Sequence, residues 1–192
     1  MKKVILASTS PRRIEIMKML GIEFEVIGSG FDERTVDLKN PKRLVEALAY
    51  EKARLVSEKN PAAIVIGADT IVVLNKRILG KPKDVAEVRR TLRELSGTRH
   101  KIITGLAVID SAGKREFVGS IVSSVKLKNI LDKEIESYIA TTEPLDRAGS
   151  YAVQGVGSMF VEEIKGDFFS IVGLPINILR EKLNEFGIKT IV

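Results

Sequence analysis

Short runs of aliphatic residues alternate along the chain with longer segments in which apolar residues recur every three or four positions. The short runs predict buried strands, and the longer spacing predicts helices with one apolar face. No internal repeat or linker divides the series, so the pattern predicts a single domain spanning 1–192. The predicted strands cover residues 4–6, 24–27, 62–66, 71–74, 78–82, 101–109, 116–127, 159–161 and 168–172. The predicted helices cover residues 11–20, 41–60, 85–95, 132–140 and 175–186.

The segment after the first predicted strand combines several groups that bind phosphate. Ser10-Pro11 predicts a helix start, because serine is a favoured N-cap and proline at the first helical position loses no hydrogen bond. A helix N-terminus offers unpaired backbone N–H groups and a partial positive charge of roughly half an electron. The hydroxyls of residues 8–10 and the guanidiniums of Arg12 and Arg13 surround this point, which suits a polyphosphate. A capped helix with two solvated arginines explains the same pattern.

Two acidic positions are candidates for chemistry. Asp32-Glu33 lies in a predicted loop, where such residues are usually solvated but also suit a hard cation. Asp69 lies between two apolar runs, just after Gly67, and burying a carboxylate without a partner is costly. Asp69 is therefore the stronger functional candidate. The structural alternative is an aspartate that caps backbone N–H groups.

Three further polar residues have a pattern that suits ligand binding to different degrees. Lys52 lies inside the predicted helix 41–60, where a surface lysine is the simplest interpretation. Lys81 lies between a glycine and a proline that constrain its backbone, which suits an ammonium directed at a phosphate. Gln154 lies among the three glycines of residues 149–157, and its amide offers both a donor and an acceptor to a nucleobase edge.

Composition narrows the possible metal chemistry and location. The chain has no cysteine, which excludes a disulfide framework and thiolate sites, and we expect a cytoplasmic protein. Its single histidine, His100, argues against a multi-histidine metal site or a Ser-His-Asp triad. Any metal would need oxygen ligands, which favours Mg²⁺ or Mn²⁺. No apolar run approaches the roughly 18 residues of a membrane span, and we predict neither membrane association nor a signal peptide.

The net charge of +6 attracts phosphate groups, whether on nucleotides or on nucleic acid. However, the chain contains only seven phenylalanines and three tyrosines and no tryptophan. They form no basic-aromatic stripe that would stack single strands. Stable nucleic-acid binding is therefore not expected, and a nucleotide is the favoured partner.

Six short motifs occur in the order found in the Maf family, and the chain resembles that family from Lys3 to about Gly187. The members are nucleoside triphosphate pyrophosphatases, first known as septum-formation inhibitors. The motifs are Ser-Thr-Ser-Pro-Arg-Arg (8–13), Gly-Ala-Asp-Thr (67–70), Leu-Gly-Lys-Pro (79–82), Leu-Ser-Gly (95–97), Ala-Gly-Ser-Tyr-Ala-Val-Gln-Gly (148–155) and Val-Gly-Leu-Pro (172–175).

The resemblance implies an elongated α/β fold like that of inosine triphosphatases, with a mixed twisted sheet, flanking helices and two lobes around a central cleft. It also implies a homodimer. The implied reaction is metal-dependent hydrolysis of a nucleoside triphosphate to the monophosphate and pyrophosphate, with Mg²⁺ or Mn²⁺ as cofactor. A role in cell-division arrest is a further implication.

The resemblance assigns roles to individual positions. Asp69 matches the family's proposed general base, and Glu33 matches the acid that acts with the metal, a role that Asp69 is expected to share. Ser8 matches the hydroxyl of the first motif. The residues that match phosphate-binding cations are Arg12, Arg13, Lys52 and Lys81.

The chain is similar to the branch of the family that acts on dTTP and UTP, because it has Arg12, Thr70 and Gln154 at the distinguishing positions. The branch that acts on 7-methyl-GTP has an extra residue after Ser-Pro, Gln after the catalytic Asp and Glu before the late Gly. A neutral glutamine pairs with a uracil or thymine edge, whereas a carboxylate suits a cationic base. We therefore expect dTTP and UTP as substrates, with modified pyrimidine nucleotides as further candidates.

Two other classes of function remain open at this point. One is a nucleotide-binding regulator of septum formation that turns over little substrate. The other is a nucleic-acid binder that uses the basic excess, against which the single arginine pair and the missing stacking stripe argue.

Overall fold

The computed structural model of the protein describes residues 2–191. Within this range the strands are β1 (Val4–Leu6), β2 (Glu25–Val26), β3 (Ile64–Leu74), β4 (Arg77–Leu79), β5 (Arg99–Asp110), β6 (Arg115–Leu127) and β7 (Val161–Lys165). They form one sheet in the order β2-β1-β3-β5-β6-β7, and β4 pairs with β3. Strand β1 is parallel to β2 and β3, whereas β4 and β7 are antiparallel to β3 and β6. The mixed sheet predicted from the sequence is confirmed.

The helices follow from local signals in the sequence. Pro11 and Pro41 occupy the first helical positions of α1 and α2, as predicted. The Asn40 side chain caps α2, and the Asp84 side chain caps α3. Among the described residues, no helix has both the length and the apolar character needed to cross a membrane. The helices are α1 (Pro11–Lys18), α2 (Pro41–Lys59), α3 (Val85–Leu95), α4 (Asp132–Ile139), α5 (Phe168–Val172) and α6 (Ile176–Glu185).

The structure differs from the predicted strands at three main points. The predicted strand 168–172 is wrong, because this run forms helix α5, which begins where the Asp167 carboxylate accepts the Ser170 N–H. The predicted strand 159–161 is wrong for its first two residues, which end a short 3-10 helix (Val156–Phe160) before β7. A short apolar run does not by itself distinguish a strand from a buried helix. The two apolar runs around Asp69 form one continuous strand, β3, rather than two.

The chain divides into two compact units, each with its own apolar core. The first unit comprises the described residues up to Asp69, together with Thr104–Ile121 and the residues from Gly173 onward. The second unit comprises Thr70–Ile103 and Val122–Val172. Buried alanine and aliphatic side chains from β1, α2, β3 and β5 fill the first core. The second core contains leucines of α3 and aromatic side chains such as Tyr138 and Phe160.

Two glycines allow helix α2 to lie directly on the sheet of the first unit. A Cβ atom on Gly67 of β3 would overlap the backbone carbonyl oxygen of Ala49 in α2. A Cβ atom on Gly105 of β5 would overlap the backbone carbonyl oxygen of Val45, one turn earlier in the same helix. The helix backbone therefore packs against both strands at these points, which brings side chains of α2 close to those of β3.

We expect Gly67→Ala to lower the free energy of unfolding by about 1–3 kcal/mol, the usual cost of forcing an extra carbon into a packed interior. The measurement is urea denaturation followed by circular dichroism. Gly80→Ala is the matched control, because no atom lies within 4 Å of the position of the added carbon. Equal stability of the two variants would contradict the close packing of α2 on β3.

Candidate active site

Asp69, Lys52 and Glu33 meet at a buried ion pair in the first unit. The Lys52 Nζ donates to Asp69 Oδ1 at 2.6 Å and to Glu33 Oε1 at 2.6 Å. The Lys52 and Asp69 side chains are each 10% exposed, whereas the Glu33 side chain is 56% exposed. One ammonium is therefore held between two carboxylates that converge on it, and one of these carboxylates faces solvent.

The position of Lys52 follows from the inner face of α2. Val45, Ala49 and Val56 are buried on this helix, and Lys52 falls on the same face at helical spacing. The aliphatic stem of a lysine packs well among such residues, and its charge needs a buried partner. The interpretation of Lys52 as a surface lysine was wrong, because the close approach at Gly67 places its ammonium beside the carboxylate two residues further along β3.

Glu33 is presented by a short turn rather than by a regular element. It begins a 3-10 helix, Glu33–Thr35, whose start is capped by the Asp32 carboxylate accepting the Arg34 N–H at 3.1 Å. The adjacent acids of this loop thus have separate tasks. Asp32 shapes the turn, and Glu33 extends from it to the Lys52 ammonium.

Arg13, in the first turn of α1, bonds two other segments of the first unit. Its Nη1 donates to Ser8 Oγ at 3.2 Å, and its Nε donates to the backbone carbonyl of Gly173 at 2.9 Å. Burial lowers the pKa of the Arg13 guanidinium, an effect that the negative charge of Asp69 opposes. The guanidinium nevertheless stays protonated, as arginine does in proteins. The Arg13 guanidinium is therefore exposed to the negative charge of Asp69.

The remaining polar groups at the start of α1 support this arrangement. Arg12 lies next to Arg13, and its positive charge contributes to the lowered pKa of the Arg13 guanidinium. Ser10 occupies the N-cap position as predicted, but its side chain makes no capping hydrogen bond. The Ser8 hydroxyl instead accepts the Ser10 N–H at 3.3 Å. The first turn of α1 is therefore not closed by its own N-cap serine.

The other predicted site residues belong to the second unit. Thr70 directly follows Asp69 in β3 and is half-buried. Lys81 lies beyond β4 and is exposed, and its ammonium pairs with the Asp146 carboxylate. The backbone beside it is held by a hydrogen bond from Gly149 N–H to the Gly80 carbonyl at 3.1 Å. Gln154 is exposed. The structure thus gathers the site residues numbered 8–69 in one unit and places those numbered 70–154 in the other.

The carboxylates of Glu33 and Asp69 suit a hard divalent ion whose remaining ligands are phosphate oxygens and water. Among residues 2–191, no group of three or more histidine or acidic side chains is arranged to hold a metal by itself. Glu33 and Asp69 provide two converging carboxylates, and Mg²⁺ is commonly bound through one or two carboxylates plus substrate phosphates and water. The Lys52 ammonium holds the same oxygen atoms, so an ion and Lys52 would compete for them.

Sequence reasoning missed two partners of the predicted residues. Asp146, the partner of Lys81, lies 65 positions further along the chain, and nothing in the local pattern indicates the pairing. The Gly173 carbonyl, the partner of Arg13, lies 160 positions away. Here the sequence offered a signal, because Gly173 belongs to the Val-Gly-Leu-Pro motif. In the structure Gly173 has a φ of +131°, a backbone conformation that favours glycine.

The geometry of the first unit and the order of the motifs point to the same family. The chain belongs to the Maf-like proteins, whose family profile matches residues 3–186. A relative from Alkaliphilus oremlandii, named dTTP/UTP pyrophosphatase, is 50% identical over 177 residues, which cover 92% of each chain. Relatives of the same name from Clostridioides difficile and Desulforamulus reducens are 44% and 46% identical, covering 95% and 100% of this chain and 94% and 100% of their own lengths.

The solved structure of the Staphylococcus aureus Ham1 protein also matches, over 96% of this chain and 100% of that chain. The TM-score is 0.47 at 17% sequence identity. At this level the two backbones are only loosely alike.

Proposed function

We propose that this chain is a pyrophosphatase that hydrolyses dTTP and UTP to the monophosphate and pyrophosphate. The observation that carries the proposal is the buried ion pair of Asp69 and Lys52, together with the Arg13 guanidinium of the same unit, whose pKa responds to the charge of Asp69. It places a carboxylate among fixed cations, as hydrolysis of a polyphosphate requires. The relatives that share 44–50% of the sequence and are named dTTP/UTP pyrophosphatase support the choice of substrate.

The proposed reaction begins with neutralisation of the triphosphate, which carries about four negative charges. In the first unit, the phosphates bind the Arg12 and Arg13 guanidiniums and the Lys52 ammonium, with the Ser8 hydroxyl as a further donor. Asp69 then orients a water molecule and accepts its proton. The water oxygen forms a bond to the α-phosphorus as the bond from this phosphorus to the bridging oxygen breaks. Pyrophosphate leaves with the bonding electrons.

Separate roles are proposed for the second unit. The Lys81 ammonium exchanges its exposed Asp146 partner for a phosphate oxygen. This exchange costs little, because an exposed ion pair contributes about 1 kcal/mol or less. The Gln154 amide pairs with the edge of uracil or thymine, and Thr70 belongs to the same substrate-binding set.

A divalent ion would be held by Glu33 and Asp69 together with the substrate. Bound there, Mg²⁺ or Mn²⁺ supplies charge neutralisation on the phosphates that the cationic side chains do not provide alone. Asp69 serves as proton acceptor whether or not one of its oxygens also contacts an ion.

A panel of nucleoside triphosphates assayed for pyrophosphate release, with and without Mg²⁺, tests the proposal. We expect dTTP and UTP to be cleaved fastest and chelation by EDTA to abolish turnover. Tight binding of dTTP or UTP without pyrophosphate release would instead favour a nucleotide-binding regulator. Salt-sensitive DNA binding at physiological ionic strength would point to a nucleic-acid binder.

Gln154→Glu is expected to lower kcat/KM for dTTP and UTP by about tenfold or more, because a carboxylate lacks the N–H donors of the amide and leaves a base acceptor unpaired. Stability should not change, since the side chain is exposed. The measurement is steady-state kinetics on dTTP, UTP, dCTP and GTP, with the melting temperature as control. An unchanged substrate profile would remove Gln154 from base recognition.

A homodimer and a role in cell division are also proposed, on the resemblance alone. Light scattering at micromolar concentration tests the first, with a monomer as the contradicting result. Microscopy of cells that overproduce the chain tests the second, with unaffected septa as the contradicting result.

A further inference from the structure

The backbone that follows Gln154 adopts a conformation that only glycine tolerates well. Gly155 has φ +93° and ψ −156°, a conformation in which other residues are strained. Gly155 is also the N-cap of the 3-10 helix Val156–Phe160, and as a glycine it has no side chain to cap that helix. Some other group must therefore satisfy the first N–H groups of the helix.

Glu143 supplies the missing cap from 14 positions earlier in the chain. Its Oε2 accepts the backbone N–H of Gly157 at 2.9 Å. Its Oε1 lies so close to Gly155 that a Cβ atom on that glycine would overlap it. The two carboxylate oxygens thus contact both glycines that follow Gln154.

Glu143 is itself fixed by its surroundings. It is half-buried, it begins the 3-10 turn Glu143–Asp146, and its N–H donates to Thr141 Oγ1 at 3.3 Å. The Tyr138 side chain packs against the same loop, because its phenol oxygen would lie 2.5 Å from a Cβ atom on Gly157. Burial raises the pKa of the Tyr138 phenol, and the Glu143 carboxylate adds to the increase. The Glu143 carboxylate is therefore held in a fixed position beside Gly155 and Gly157.

We propose that Glu143 is a positioning residue for nucleobase selection: by accepting the Gly157 N–H and packing against Gly155 it fixes the direction of the exposed Gln154 amide. This inference rests on the proposed function, in which Gln154 contacts a pyrimidine base. The ligand class addressed is a pyrimidine nucleotide, and Glu143 acts on its base through Gln154 without touching it. Without the carboxylate, the loop samples several directions and the amide must be ordered again at each binding event.

The test compares Glu143→Ala with Glu143→Gln, whose amide oxygen still accepts the Gly157 N–H. For Glu143→Ala we expect KM for UTP and dTTP to rise about tenfold, the effect of losing roughly one hydrogen bond, while kcat changes less than about threefold. Competitive inhibition by inorganic triphosphate, which has no base, should be unchanged. Glu143→Gln should restore most of the KM.

Glu134→Ala is the matched control, because the Glu134 carboxylate also accepts a backbone N–H in the second unit, that of Leu131 at 2.8 Å. We expect this variant to lose stability without a change in KM.

Two results would overturn the inference: an unchanged KM for UTP in Glu143→Ala, or an equal weakening of the binding of UTP and of inorganic triphosphate. If Glu143→Ala is too unstable to assay, an unaltered KM in Glu143→Asp, whose shorter side chain withdraws the carboxylate, overturns it as well. If the unaltered chain does not cleave UTP or dTTP, the proposed function itself is overturned. That result is independent of the Glu143 variants, so the two failures can be distinguished.

Discussion

Replacing Asp69 with asparagine is expected to lower kcat for dTTP and UTP at least about 100-fold, the low end of what loss of a general base costs. Asparagine has the same shape, and its amide oxygen still accepts the hydrogen bond from Lys52 Nζ. The variant should therefore fold, and KM should change far less than kcat. The measurement is pyrophosphate release under steady-state conditions together with a thermal unfolding curve.

Asp110→Asn is the matched control for this experiment. Asp110 is another buried aspartate of the first unit, bound by Lys2 at 2.7 Å and by Arg115 at 2.9 Å. Burial alone would raise the pKa of its carboxyl, but the hydrogen bonds from Lys2, Arg115 and the Gly113 N–H lower the pKa overall. We expect this variant to lose stability and retain kcat. Near-full activity of Asp69→Asn would remove Asp69 from the chemical step.

Lys52→Met is expected to have the second large effect, because it removes the ammonium that pairs with both Asp69 and Glu33. Breaking a buried ion pair by deleting one partner costs about 3–5 kcal/mol, and the exposure of Glu33 places this case near the lower figure. The substitution also removes a proposed phosphate ligand and frees the Asp69 carboxylate to move. We therefore expect kcat/KM for UTP to fall by at least about 100-fold, a loss comparable to that for general-base removal.

The Lys52 effects are measured by urea denaturation and steady-state kinetics, with Lys59→Met as control. Lys59 lies on the same helix, is exposed and belongs to its last turn. The same change of side chain there should alter stability by less than about 0.5 kcal/mol, as for most surface positions. Normal stability and activity of Lys52→Met would show that the buried ion pair contributes neither to folding nor to catalysis.

Local sequence signals predicted the parts of the fold that depend on neighbours in the chain. Pro11 and Pro41 marked the first residues of α1 and α2, because proline is favoured where a helix needs no N–H donor. The run Phe168–Val172 was predicted as a strand and forms a helix. Its five residues are too few to show a helical period. Only the structure shows that the Asp167 carboxylate accepts the Ser170 N–H at the start of the helix.

Asp69 was recognised from the cost of burying a carboxylate, but its partner was not recognised from local pattern. Lys52 lies 17 positions away, and only the packing of α2 on Gly67 brings the two side chains together. The same applies to Glu143, whose contact with Gly157 spans 14 positions. A single sequence contains the residues of these contacts but not the tertiary approach that creates them.

The central claim is that water attacks the α-phosphorus, and hydrolysis in ¹⁸O-labelled water tests it most directly. The products of UTP cleavage are separated and weighed by mass spectrometry. Attack at the α-phosphorus places one ¹⁸O atom in UMP and none in pyrophosphate. Label in pyrophosphate, or UDP and orthophosphate as products, would contradict it.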